Sequence, residues 1–158
     1  DTQPDGILIA GDVYDKTIPS AEAVELLDEF LTNLAELQIP CWVVSGNHDS
    51  AERIAFGARI MAGRGIHTSR VFDGSLIPTT CQDDYGEVDI YLLPFLKPAQ
   101  VSRFYPQAKI DSFQAAVGTV LANCSLRADR RNILVAHQFI TSGGMEPLRS
   151  GTSLPEQK

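Results

Sequence analysis

The stretch Trp42-Val43-Val44-Ser45-Gly46-Asn47-His48-Asp49-Ser50 decides how the chain is read. Its apolar, β-branched first half suits a strand buried on both faces. It stops at a glycine followed by three side chains able to bind metal or move protons. Chemistry is therefore expected at a strand's carboxyl end, where open α/β sheets bind their ligands. Two other segments share this grammar. Ile7-Leu8-Ile9-Ala10 runs into Gly11-Asp12-Val13-Tyr14-Asp15, and Ile133-Leu134-Val135-Ala136 runs into His137-Gln138. Three such strands, parallel in one sheet, would project Asp12, Asn47, His48 and His137 from the same rim.

Working outward, Ser20 can cap a helix that runs to Gln38, with Glu22 near its positive end. Val24, Leu27, Leu31, Leu34 and Ala35 recur at helical spacing, while Leu26 and Phe30 widen the apolar stripe beyond one face. Ile39-Pro40 ends the helix, so a strand–helix–strand unit is expected. Ser50 or Asp49 caps a second predicted helix carrying Ile54, Ala58 and Met61 and stopping at Gly63 and Gly65. Val71-Phe72, Leu76-Ile77 and 88–93 read as short strands of an antiparallel or mixed second sheet. Ile110, Phe113, Val117, Val120, Leu121 and Cys124 mark a further helix. A charged loop over 127–132 precedes the third rim strand. Residues 141–158, rich in Gly, Ser, Pro and Thr, read as a loop.

A chain of 158 residues with 44% hydrophobic content supports one domain, 1–158, with a core of its own. No apolar run approaches the roughly 20 residues of a membrane span, and no basic-then-apolar leader opens the chain. A soluble, cytoplasmic protein without a membrane partner is expected. Cys41, Cys81 and Cys124 have no CxxC spacing, which implies neither a disulfide framework nor a thiolate zinc site. A net charge of −7 argues against a generally basic nucleic-acid coat. An acidic cluster holding divalent cations would contribute to that charge, so a nucleic-acid substrate is not excluded.

Gly-Asp after a strand is, taken alone, commonly a turn, and a lone His137 is more often a satisfied buried histidine. The three rim elements together reverse both readings. Asp, Asn and His without sulfur suit Mn²⁺, Fe, Zn²⁺ or Mg²⁺. Two such cations, about 3.5–4 Å apart, clamp phosphoryl oxygens and activate a water. Metal-assisted phosphoester hydrolysis is the chemistry this set fits.

Gly11-Asp12-Val13-Tyr14-Asp15, Gly46-Asn47-His48-Asp49 and Ala136-His137-Gln138 resemble the motifs of the calcineurin-like metallophosphoesterases. Within that superfamily, 9–15, 45–53 and Leu92-Leu93-Pro94-Phe95 are similar to the SbcD-type nuclease subunits of bacterial nuclease–ATPase pairs. The resemblance implies a four-layer α/β/β/α metallophosphoesterase sandwich, incomplete at both ends. It implies two divalent cations, Mn²⁺, with Asp12 bridging them and Asn47 and His137 binding one. His48 would act beside the scissile phosphate as proton donor or transition-state stabiliser, with Asp15 orienting its ring. Implied partners are DNA, cleaved exonucleolytically and endonucleolytically in repair and recombination, an SbcC-type ATPase subunit, and a second copy of the chain. The copies would pair through the helices that follow Asp15 and Ser50. Asp49 is expected to cap a helix and face Arg53, and His67 to lie in a loop away from the site.

The family's Asp-x-His motif would precede Asp1 and its Gly-His-x-His motif would follow Lys158. The chain is therefore expected to be a fragment carrying the middle of a site, inactive alone. The rival expectations are a related phosphodiesterase or phosphatase acting on nucleotides or phosphoproteins, and a non-catalytic binding piece.

Overall fold

The computed structural model describes residues 4–140, so the loop expected over 141–158 lies outside the described residues. The first sheet is parallel and runs in the order β1 (Ile7–Ala10), β2 (Cys41–Val44), β3 (Ile66–Thr68). The second is mixed. In it β4 (Thr79–Asp83) and β5 (Gly86–Leu93) form an antiparallel hairpin, and β6 (Arg131–Ala136) lies parallel to β5. Around the sheets stand α1 (Ala21–Glu36), α2 (Ala51–Ile54), α3 (Ala58–Ala62), α4 (Pro98–Val101) and α5 (Phe113–Ala122).

Side-chain alternation along the strands builds the layers. In β2, Cys41 and Val43 pack with Leu34 of α1, Ile54 of α2 and Ile66, forming the core between the first sheet and its helices. Trp42 and Val44 point the other way and meet Val88, Ile90 and Val135 between the two sheets. On the far side of the second sheet, Leu93 packs with Leu96, Val101, Ala116 and Val120, under α4 and α5. Helices, sheet, sheet and helices follow in that order. This is the four-layer α/β/β/α sandwich that the resemblance implies, and it explains why β2 is buried along its whole length.

Several elements depart from the sequence reading. β6 is not in the sheet of β1 and β2. It pairs with β5, because Ile90, Tyr91, Leu92 and Leu93 offer it an apolar parallel neighbour in register with Ile133 to Ala136. The helix expected after Ser50 is broken into α2 and α3 at Gly57, whose φ of 72° lies in the left-handed region that glycine enters without steric cost. Val71-Phe72 and Leu76-Ile77 form no strands. Asp73 instead accepts from the backbone N–H and hydroxyl of Ser75, and the Tyr105 hydroxyl donates to the carbonyl of Gly74, at 2.7 Å. That turn delivers Phe72 and Leu76 to the outer core from a loop. His67 lies in β3, stacked on Trp42 with ring centroids 5.6 Å apart.

The charged loop ties β4, β5 and β6 together. Arg127 donates from Nε (2.7 Å) and a terminal nitrogen (2.6 Å) to the buried carboxylate of Asp89, which also accepts from the Thr80 hydroxyl. Arg130 pairs with Glu87, and Arg131 pairs with Asp83 across the sheet.

Candidate metal centre

The carboxyl ends of β1, β2 and β6 meet although they belong to two sheets, because β1 and β6 touch across the interface. After β1 the backbone turns through two left-handed residues, Gly11 (φ 87°) and Asp12 (φ 46°). Glycine enters that region freely, and aspartate tolerates it better than most residues. A side chain at position 11 would overlap the ring of His137, and one at position 46 would overlap the backbone nitrogen and carboxylate of Asp12. Both glycines are therefore requirements of close approach. They let three loops share one point.

At that point sits His137. Its Nδ1 is 2.8 Å from the carbonyl of Ala10, which fixes that nitrogen as a donor. In the neutral ring Nε2 then carries a lone pair, and it faces Asn47 Oδ1 at 3.0 Å and Asp12 Oδ2 at 3.3 Å. Three polar atoms converge there, and with Nε2 unprotonated all three offer lone pairs to a cation. Ligands bound at about 2.0–2.2 Å and at right angles stand about 3 Å apart, so these separations fit a divalent cation, and one carboxylate, one amide and one imidazole suit a hard or borderline metal. No group of three or more His, Cys, Asp and Glu side chains placed to hold a metal ion occurs among the described residues, so a centre here would depend on the amide oxygen of Asn47.

His48 stands at the edge of this cluster. Its N–H donates to Asp12 Oδ1 at 3.1 Å, its ring Nδ1 is 3.9 Å from Asp12 Oδ2, and the ring is half exposed. Its carbonyl accepts from the Thr17 hydroxyl, a second tie between the two loops. Asp15 is exposed and makes no hydrogen bond or ion pair among the described residues; the carboxylate nearest the His48 ring is that of Asp12. His67 lies apart, its pKa lowered by burial. A cavity of about 850 Å³, walled by Phe95, Phe113, Val117 and Leu121, opens beside Asn47 and His137.

Asp49 does not act as the helix cap the sequence suggests. Ser50 takes that place, its hydroxyl accepting from the N–H of Arg53. The Asp49 carboxylate turns back and accepts from the N–H groups of Gly46 (2.7 Å), Tyr14 (2.9 Å) and Val13 (3.1 Å). The bond to Gly46 spans a local turn of three residues. The other two join positions 35 and 36 residues apart, which no local pattern reveals. Below the turn, the buried Ser69 hydroxyl accepts from the N–H of Ser45, and the carbonyl of Ser45 accepts from the N–H of Phe95.

A four-layer sandwich with carboxylate, amide and imidazole donors gathered at the rim between its sheets defines a metallophosphoesterase, and the chain belongs to the calcineurin-like phosphoesterase family, which matches residues 1–148. Its sequence is similar to that of the SbcD subunit of the nuclease SbcCD from Staphylococcus epidermidis, with 34% identity over 95% of this chain. The protein of the same name from Staphylococcus saprophyticus subsp. saprophyticus is 32% identical over the same share. The chain spans 41% of the length of each of these relatives.

Proposed function

We propose that the chain forms part of a divalent-metal-dependent nuclease that hydrolyses phosphodiester bonds in DNA, with Asp12, Asn47 and His137 as metal ligands. The observation that carries this reading is the approach of Asn47 Oδ1 and Asp12 Oδ2 to within 3.3 Å of His137 Nε2, with Nδ1 of the same ring engaged by Ala10. When bound, two divalent cations, Mn²⁺ in this reading, supply an activated water and offset charge on the phosphoryl oxygens. The rest falls to the chain's own side chains. Ala10 holds the His137 ring in the tautomer that leaves Nε2 free to bind. Asp12, with one oxygen receiving the His48 N–H, keeps the other toward the shared point. His48, half exposed at the edge, is placed to give a proton to the leaving oxygen, with the Asp12 carboxylate, rather than that of Asp15, beside its ring.

DNA is favoured over nucleotides or phosphoproteins because the similar relatives are named as nucleases. Their naming as one component of SbcCD supports an SbcC-type ATPase partner. Homodimerisation is supported by apolar residues left outside the core on α1 and near α3: Leu26 is 68% exposed, Phe30 41%, Phe56 84% and Ile60 82%. No helix among the described residues is long and apolar enough to cross a membrane, which is compatible with action in the cytoplasm.

The test is cleavage of a DNA hairpin by the full-length protein with and without Mn²⁺, beside a cyclic nucleotide and a phosphopeptide. Mn²⁺-dependent cleavage of the hairpin, abolished by Asp12→Asn, is expected. Turnover of the small substrates with no DNA cleavage would replace the nuclease reading with the phosphatase one. The 158-residue chain alone should cleave negligibly, because a second cation would retain only Asp12 among the described ligands.

A further inference from the structure

We propose that Asp49 is the positioning residue of this centre, its carboxylate locking the Asp12 turn to the Asn47–His48 turn so that the metal-binding donors keep their spacing. The inference rests on the metal-centre reading above and adds a residue to which that reading gives no part. Asp49 Oδ2 accepts from Val13 and Gly46, and Oδ1 accepts from Tyr14. Val13 directly follows Asp12, and Gly46 directly precedes Asn47. One side chain thus grips the backbone next to two of the three ligands, and its hydrogen bonds go to backbone N–H groups rather than to the donor atoms.

The grip has something to hold. Asp12 adopts φ 46°, a left-handed conformation that aspartate tolerates better than most residues but that still lies outside the common regions. The N–H groups of Val13 and Tyr14 emerge from that turn and both donate to the Asp49 carboxylate. A carboxylate is suited to the task because it is acceptor-only, with room for all three donors at once. Its bonds are charge-assisted, and so stronger than those of an amide or hydroxyl in the same place. Asparagine has the same shape but would turn an NH₂ group toward at least one N–H. The serine hydroxyl is too short to bridge both loops.

Positioning and plain stability separate in metal binding. The full-length protein is prepared as wild type, Asp49→Asn and Asp49→Ser, and each is checked by thermal melting before a Mn²⁺ titration followed by electron paramagnetic resonance. Folded Asp49→Asn is expected to bind Mn²⁺ about 10–100-fold more weakly, the range for loss of a residue that orients a ligand. Hydrogen exchange at Val13, Tyr14 and Gly46 should also quicken in the metal-free protein. At saturating Mn²⁺, kcat should largely recover, which loss of a catalytic group would not allow.

A folded Asp49→Asn that binds Mn²⁺ as wild type does, whatever its melting temperature, would overturn the proposal. Failure of both variants to fold would also overturn it, assigning Asp49 to stability alone. Asp12→Asn and His137→Ala run beside them. If those two also leave Mn²⁺ binding unchanged, the metal-centre reading itself fails and takes this inference with it. If they abolish binding and Asp49→Asn does not alter it, only this inference falls.

Discussion

A methyl group at position 46 would fall on the backbone nitrogen and the carboxylate of Asp12, both belonging to a loop the chain leaves over 30 residues earlier. Neither can yield without moving a donor of the centre. Gly46→Ala is therefore expected to weaken Mn²⁺ binding at least about tenfold, an effect of the size seen when a ligand is misoriented, and to lower the melting temperature. Calorimetric titration with Mn²⁺ beside a melting curve checks both. His48 should behave differently. Its ring stands half exposed beside the cluster while Asn47 supplies the oxygen that faces His137. His48→Ala is expected to lower the rate of DNA cleavage about 10²–10⁴-fold, the usual worth of a positioned proton donor, and to leave bound Mn²⁺ unchanged. A parallel loss of metal and rate in the two assays would assign His48 to the coordination sphere instead.

Among the elements, the second sheet is held by charge as well as by apolar packing. The Arg131 guanidinium and the N–H of Tyr85 hold the Asp83 carboxyl down at about 2. The Thr80 hydroxyl, helped by Arg127, lowers that of Asp89. Carboxyls with folded-state values below the unfolded ones add stability that is fully present above roughly pH 4 and is lost as the pH falls toward the folded value. Melting temperatures should accordingly decline between about pH 4 and pH 2. Asp83→Asn should flatten part of that decline while lowering stability at neutral pH only slightly, because the Asp83–Arg131 pair is half exposed. A series of melts from about pH 6 to pH 2 reads this directly. An unaltered acid limb in the variant would show that the pair does not govern it. The same sheet explains how β6 reaches the site. Registered against β5 by Ile133 to Ala136, it ends one residue before His137, level with the turn after β1.

At the scale of the whole molecule, the apolar stripe of α1 divides between two surfaces. Leu34 is 6% exposed and lies in the core with Leu31 and Ala35, whereas Leu26 and Phe30 border a groove of about 590 Å³ with Ile18 and Tyr14. Apolar area of that kind suits a protein–protein contact. The full-length protein is expected to sediment as a dimer, and Leu26→Asp combined with Phe30→Asp is expected to yield a folded monomer. A dimer that survives the double substitution would move the contact elsewhere.

The sequence by itself determined the apolar strands that run into Asp12, Asn47 and His137, the serine-capped start of α1 and the chemical character of the side chains proposed as donors. Each is written in local patterns: an uninterrupted β-branched run stopped by glycine, a serine cap before a helical stripe, and oxygen and imidazole donors without sulfur. It also allowed the layers to be expected, through the resemblance of its motifs to a known family. Tertiary structure decided which sheet each strand joins, because the run Ile133 to Ala136 suits either sheet and only the competing neighbour, β5, settles the pairing. It decided that the second helix breaks, since Gly57 tolerates both a helical and a left-handed backbone. Above all it decided the work of Asp49. Its spacing in the chain is compatible with a helix cap, and only the arrival of Val13 and Tyr14 from another strand shows that its carboxylate bridges two loops. Residues far apart in sequence meet through packing, and packing is a property of the folded chain rather than of any stretch of it.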